Sequence, residues 1–234
     1  MKLTRLNNLI PAGIIALCLF VAAGCSQKSY FSSLPEGCDP VEVGRGITQL
    51  FIDKDKPERT TKKGMTYVKY TVTSEWANCL QFARGIGDKE MEDALIAMWE
   101  PFNDGGEKET FRSHKWHVDY SVFGAVPLEV YCLNSDPRAY KIGMDYADNQ
   151  WSQPSEDPSE HSLTKVPYEK QLEWLSQGYS PQTRLWIDDM YMITFLQLQA
   201  YKATGDMKYV ERTAKELALY LTTLQQENGL FLHT

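Results

Sequence analysis

The sequence predicts an all-α protein assembled from helical hairpins, in which buried inner helices alternate with amphipathic outer ones. Three observations predict it. Segments open at an aspartate preceded by glycine or serine at Gly87-Asp88, Ser135-Asp136 and Gly205-Asp206. Behind each aspartate runs an apolar stripe with steps of three or four residues. In front of each lies a second helical segment with a different pattern.

The chain begins with Lys2 and Arg5, followed by an apolar run from Leu9 to Ala23 and then Val21-Ala22-Ala23-Gly24-Cys25. Small residues before a cysteine at the end of such a run read as a bacterial lipoprotein signal, residues 1–24, with Cys25 as the lipid attachment site. That places the protein at the cell envelope, in the periplasm or on the outer membrane, held through a lipid anchor. An ordinary signal peptide with a chance cysteine is the plainer alternative. Residues 25–64 are mixed and poorly periodic and read as a tether and irregular lead-in. Cys38, Cys79 and Cys132 are an odd number without metal-ligand spacing, so no disulfide framework is expected.

The hairpins follow from residue 65. Aspartate is a favoured N-cap because its carboxylate accepts from free N–H groups of the first turn, and Pro137 takes the first helical position. The stripes behind the caps are Met91, Leu95, Met98 and Phe102; Tyr140, Met144, Ala147 and Trp151; and Val210, Ala214, Leu217, Leu221 and Leu224. The inner helices are Tyr67 to Phe82, Val118 to Leu133 and Trp186 to Tyr201. The last is apolar nearly all round and is expected to be buried on most sides. Pro127 should kink the second. The caps stand 48 and 70 residues apart, and a segment rich in Pro, Ser and Glu from about 150 to 181 holds the excess. The shorter spacing exceeds the about 34 residues of a tetratricopeptide repeat. It suits hairpins around a ring, with a helical solenoid as the alternative.

Composition narrows function. Lys plus Arg is 24 against 31 Asp plus Glu, a net charge of −7, which argues against nucleic acid as a partner. Against that balance, the stretch Phe111-Arg112-Ser113-His114-Lys115-Trp116-His117 holds four residues able to carry positive charge beside two aromatics. It suits an acidic substrate, or is a solvated loop. The long insertion carries Trp151, His161, Trp174 and Tyr179, suited to a rim.

Two aspartates stand at matched positions. Asp119 lies 17 residues before Asp136, and Asp188 lies 18 before Asp206. In a ring of parallel inner helices, both would face the cavity from one end. Either alone reads as well as a helix-start residue that favours the dipole. Two at equivalent positions, each beside an aromatic ring, suggest general acid/base work. An acid role needs burial or a second carboxylate to oppose ionisation. Asp189 competes with Asp188, pointing about 100° further round the helix.

The run Arg184-Leu185-Trp186-Ile187-Asp188-Asp189-Met190-Tyr191-Met192 resembles the signature of the unsaturated glycuronyl hydrolases. These are glycoside hydrolase family 105, with family 88 as a relative. His117-Val118-Asp119 and Asn228-Gly229-Leu230-Phe231-Leu232-His233 resemble further segments of its pattern. The resemblance runs from about Met65 to the end. It implies an (α/α)6 barrel and removal of a 4,5-unsaturated uronic acid from lyase-generated, pectin-type oligosaccharides by hydration of the double bond. It puts the catalytic acid/base on Asp188 and the second aspartate on Asp119. Trp186 would stack on the sugar, His233 would contact substrate, and His117 and Trp116 join them as substrate-binding candidates. No metal or organic cofactor is implied. Two departures stand out. Residues 177–183 lack the histidine that members often carry before the Trp-x-Asp. A later Trp-Gly-Arg-Gly-x-Gly-Trp-like segment, which would bind the uronate carboxylate, has no counterpart. Residues 65–234 then read as the N-terminal half of the barrel, three hairpins of six, expected to be inactive and poorly stable alone. The alternatives are a non-catalytic glycan-binding lipoprotein of helical repeats and another toroid glycosidase.

Overall fold

The computed structural model describes residues 34–54, 57, 59–62, 65–157 and 166–234. The signal, Cys25 and His161 lie outside them. The chain divides into two units, Met1–Val43 and Gly44–Thr234. In the first, the Asp39 carboxylate accepts from the Val41 and Glu42 amides at 2.8 and 3.0 Å and opens α1, Pro40–Asp53. Everything below concerns the second unit.

The lead-in is more ordered than its sequence suggests. It holds α1, and an antiparallel pair of strands, β1 (Arg59–Lys62) and β2 (Met65–Val68), in which Arg59 faces Val68 and Lys62 faces Met65. Alternation over only four residues is too short a signal to separate such strands from coil. The first inner helix therefore starts at Tyr70, not Tyr67.

Three hairpins follow. α2 (Tyr70–Ile86) pairs with α3 (Lys89–Ala97). The second inner element is α4 (Val118–Ser121), a 3-10 turn at Val122–Gly124 and α5 (Ala125–Asn134), paired with α6 (Pro137–Asn149). The insertion carries α7 (Tyr168–Ser176), and the third hairpin is α8 (Ile187–Thr204) with α9 (Met207–Leu224). Each turn works as its sequence implies. Gly87, Ser135 and Gly205 take left-handed φ of 71°, 61° and 72°, and Asp88, Asp136 and Asp206 accept from the amides of Met91, Arg138 and Lys208. Such a cap contributes about 1 kcal/mol. The break in the second inner helix falls at Val122–Gly124, not at Pro127 itself. Pro127 can give no N–H to the Phe123 carbonyl four residues back, and its ring crowds that carbonyl.

The core is continuous across the hairpins. Phe51, Trp76, Trp99, Phe123 and Tyr146 form a chain of ring contacts at 5.7–6.4 Å. The buried indoles are satisfied: Trp76 donates to the Leu95 carbonyl at 3.2 Å and Trp99 to Asn103 at 2.9 Å. A second cluster joins Val118 and Val122 to Met192 and Ile193, packing α4 on α8. At the far ends of the inner helices, the fully buried Glu129 of α5 accepts from Lys202 of α8 at 2.6 Å and lies 3.8 Å from Arg84 of α2. One carboxylate thus links all three inner helices.

Three expected faces differ. α6 buries Ala139, Ile142, Gly143, Tyr146 and Ala147, while Tyr140 and Met144 are half-buried. α9 buries Tyr209, Thr213, Glu216, Tyr220 and Leu224; Val210 and Leu217 are half-buried, and Ala214 and Leu221 exposed. Each face is rotated toward polar side chains that find hydrogen-bond partners: Tyr146 donates to the Ser113 carbonyl, Tyr209 to Asp148 at 2.9 Å and Thr213 to the Tyr209 carbonyl at 2.9 Å, and Glu216 accepts from the Ser180 amide at 3.2 Å. Hydropathy cannot register that. α8 is buried on Met192, Ile193, Leu196 and Ala200, but Tyr191 and Leu198 are each 41% exposed.

Gly124 marks where the second hairpin meets itself and the third. A Cβ there would sit 2.4 Å from the Cβ of Tyr146 and 3.1 Å from Leu196. Gly124→Ala should destabilise by about 1–3 kcal/mol through overpacking. Gly46→Ala, in α1 with open space around it, should stabilise by about 0.5–1 kcal/mol. Urea unfolding midpoints read both.

Candidate active site

The site is built at the N-terminal ends of α4 and α8. Each opens behind an aromatic N-cap, His117 and Trp186, with an aspartate as its second residue. The His117 ring serves as the cap directly: its Nδ1 accepts from the Asp119 amide at 3.0 Å.

Arg184 joins the two helix starts. It projects from the loop before α8 with only 5% of its side chain exposed. Its Nε donates to both oxygens of Asp189, at 3.2 and 2.9 Å, and Nη2 donates to Asp189 and, at 2.8 Å, to Asp119. Nη1 lies 3.3 Å from Nε2 of His117. The guanidinium also covers the Trp186 ring, 4.6 Å from its centroid. A buried cation without carboxylates would be prohibitively desolvated; here one carboxylate comes from each hairpin.

The two neighbouring aspartates are placed differently. Asp189 is fully buried and gripped by Arg184, and burial pushes its carboxyl above the usual carboxylate range, with Asp188 and Asp119 adding to the push. It anchors the site. Asp188 is only half-buried, and its Oδ1 is a buried oxygen without a hydrogen-bond partner among the described residues. Such an orphaned polar atom costs about 1–3 kcal/mol and calls for an explanation.

The other candidates divide. His233 reaches the site: its carbonyl accepts from the Ile187 amide at 2.9 Å, and its ring lies 5.7 Å from Trp186. His117 is 5% exposed, with both ring nitrogens turned to Asp119 and Arg184, so it supports the site from within. Trp116 is half-buried, and among the described residues no ring contact or hydrogen bond joins it to the Arg184 group. The positive loop spends its charges internally. Arg112 donates to the Phe102 carbonyl and to Asp104, and Lys115 pairs with Asp145. The expected rim is also partly structural, since Trp174 is buried and Trp151 donates to the Gly178 carbonyl at 3.3 Å. Beside Trp186 opens a cavity of about 220 Å³ lined by Lys170, Trp174, Thr183, Arg184 and Leu185.

Arg184 was visible in sequence only as part of a motif. Its role depends on partners 65 and 67 residues away, which no local pattern reports.

An all-α toroid whose inner helices bring paired aspartates to one end defines the class: a helical-toroid glycoside hydrolase. The chain belongs to Glycosyl Hydrolase Family 88, whose family model matches residues 45–234. This is the group that the signature named as the relative of family 105. No curated protein and no solved structure matches the chain.

Arg184→Leu should cost about 3–5 kcal/mol, because it strands Asp189 as an unpaired buried charge. Adding Asp189→Leu should recover most of that loss. Additive losses in urea unfolding would show that the pair does not act as a unit.

Proposed function

We propose that the protein is an unsaturated glycuronyl hydrolase. It would remove 4,5-unsaturated uronic acid from the non-reducing end of oligosaccharides made by a polysaccharide lyase, with pectin-type fragments as substrates. The observation that carries the reading is the asymmetry of the aspartates around Arg184. Asp119 and Asp189 are held, while Asp188, two residues beyond Trp186, keeps an unpartnered oxygen among the described residues.

In this mechanism Trp186 stacks on the unsaturated ring, and the adjoining cavity takes part of the sugar chain. The acid form of Asp188 gives its proton to C4 of the C4=C5 double bond. Water adds at C5, and the Asp188 carboxylate takes up the proton that this water gives up. The product is a hemiketal at C5, whose ring opens to a ketone. C1 is then an open-chain hemiacetal that collapses to an aldehyde and releases the rest of the oligosaccharide as an alcohol. The sum is one water added and one glycosidic bond lost, with Asp188 regenerated. Asp119, 28% exposed and fixed by Arg184, orients the incoming groups. We place the enzyme at the cell envelope, anchored by lipid through Cys25.

The assay follows the ultraviolet absorbance of the conjugated double bond, using the complete gene product. Absorbance should fall with time, and Asp188→Asn should lower kcat by about 10²–10⁴-fold, the usual contribution of a general acid/base. Undiminished activity in that variant would remove Asp188 from its role. Cleavage of saturated oligosaccharides instead would point to another toroid glycosidase.

A further inference from the structure

Nothing in the sequence pattern distinguishes Glu216, which reads as a solvated carboxylate on an outer helix. In the fold it is 0% exposed. Both oxygens are engaged by one short segment: the Ser180 amide donates to Oε2 at 3.2 Å, and the Thr183 hydroxyl donates to Oε1. Other bonds fix the same segment from the second hairpin. The Ser180 hydroxyl donates to the Gln150 carbonyl at 2.8 Å, Ser121 donates to Gln182 at 2.8 Å, and Gln182 donates to the Lys115 carbonyl at 2.7 Å. Arg184 comes next, then Leu185 at φ 60°, then Trp186. A leucine holds the left-handed conformation only where its surroundings impose it. Tyr220, one turn beyond Glu216 on α9, lies against the Leu185 backbone.

We propose that Glu216 is a positioning residue for the active site: it clamps the Ser180–Thr183 turn, so that the strained Leu185 delivers Arg184 and Trp186 to the start of α8. Glu216 does not touch substrate. That Trp186 is the sugar platform rests on the function proposed above; that Glu216 sets its position does not.

The clamp has an electrical side. Burial pushes Glu216 up to about 7, against the pull of its two hydrogen bonds and with Asp189 adding to the rise. The charged and titratable groups around it are Asp189 at the start of α8, Arg184 in the clamped loop, and Lys215 and Tyr220 on α9. A carboxyl raised on folding binds its proton more tightly in the native state. The native state is therefore favoured below the ordinary glutamate range, and that advantage is lost as pH rises through about 7.

The test reads Trp186 directly, by fluorine NMR of protein labelled with 5-fluorotryptophan. Loss of one of the six tryptophan signals in Trp186→Phe assigns the resonance. In Glu216→Leu, the Trp186 signal should shift or broaden while the others stay in place. Glu216→Gln keeps one acceptor for Ser180 and lets the Thr183 bond reverse, so it should restore the wild-type position. It should also lack the pH-dependent shift, with a midpoint near 7, that is expected of the wild type. A Trp186 signal unmoved in folded Glu216→Leu would overturn the proposal. So would a pH shift that persists unchanged in Glu216→Gln, which would belong to another group. General movement of all signals in Glu216→Leu would mark an ordinary core residue and count against it equally. The readout needs no turnover: absence of activity on unsaturated uronides defeats the functional reading and leaves the Trp186 result standing.

Discussion

One buried guanidinium holds the site together. Arg184 sits in a loop, Asp189 on the first turn of α8 and Asp119 on the first turn of α4, so their shared bonds exist only when the second and third hairpins are docked. Removing a cation from water costs several kcal/mol, and only well-placed carboxylates offset that. The same kind of pin recurs at the other end of the inner helices, where Glu129 faces Lys202 and Arg84. Between the two pins the contact is close, with Gly124 admitting Tyr146 and Leu196, and largely apolar apart from Gln197, which donates to the Ala147 carbonyl and to Gln150. Charge therefore sets how the hairpins are registered, and packing supplies the cohesion between them. A purely apolar interface of this length would tolerate slippage by a turn; carboxylates that must meet one arginine do not.

The sequence displayed the parts of this arrangement governed by local chemistry. The three Gly/Ser-Asp turns announced the hairpins because a left-handed residue followed by a capping carboxylate is a short-range requirement, met by Gly87-Asp88, Ser135-Asp136 and Gly205-Asp206. The matched placement of Asp119 and Asp188 was legible for the same reason, since the repeat carries each to the same point on its helix. Faces were harder. On α9, Glu216 and Thr213 are buried while Leu221 is 46% exposed, an inversion that hydropathy alone reads backwards. What decides it is a set of hydrogen bonds to Ser180 and Thr183, more than thirty residues distant. The short strands and α1 leave little mark in the sequence, because a weak, mixed pattern leaves helix, strand and coil nearly equal.

The electrostatics of the site bear on its chemistry. The Asp119 and Asp189 side chains grip one guanidinium, Asp188 adds its charge beside Asp189, and the nearby basic loop is committed to Asp104 and Asp145. With every carboxyl ionised, the cluster carries two negative charges more than it neutralises. A uronate entering beside Trp186 would meet repulsion, strengthened by the low polarity of the surroundings. One proton held within the cluster reduces that excess. In the proposed function it would also supply what hydration of an electron-rich double bond requires, a carboxyl in its acid form. Burial already favours the acid form at Asp189, and a proton held there lowers the repulsion that a uronate would meet. In the proposed function, an anionic substrate and a proton at Asp189 would therefore favour each other's binding.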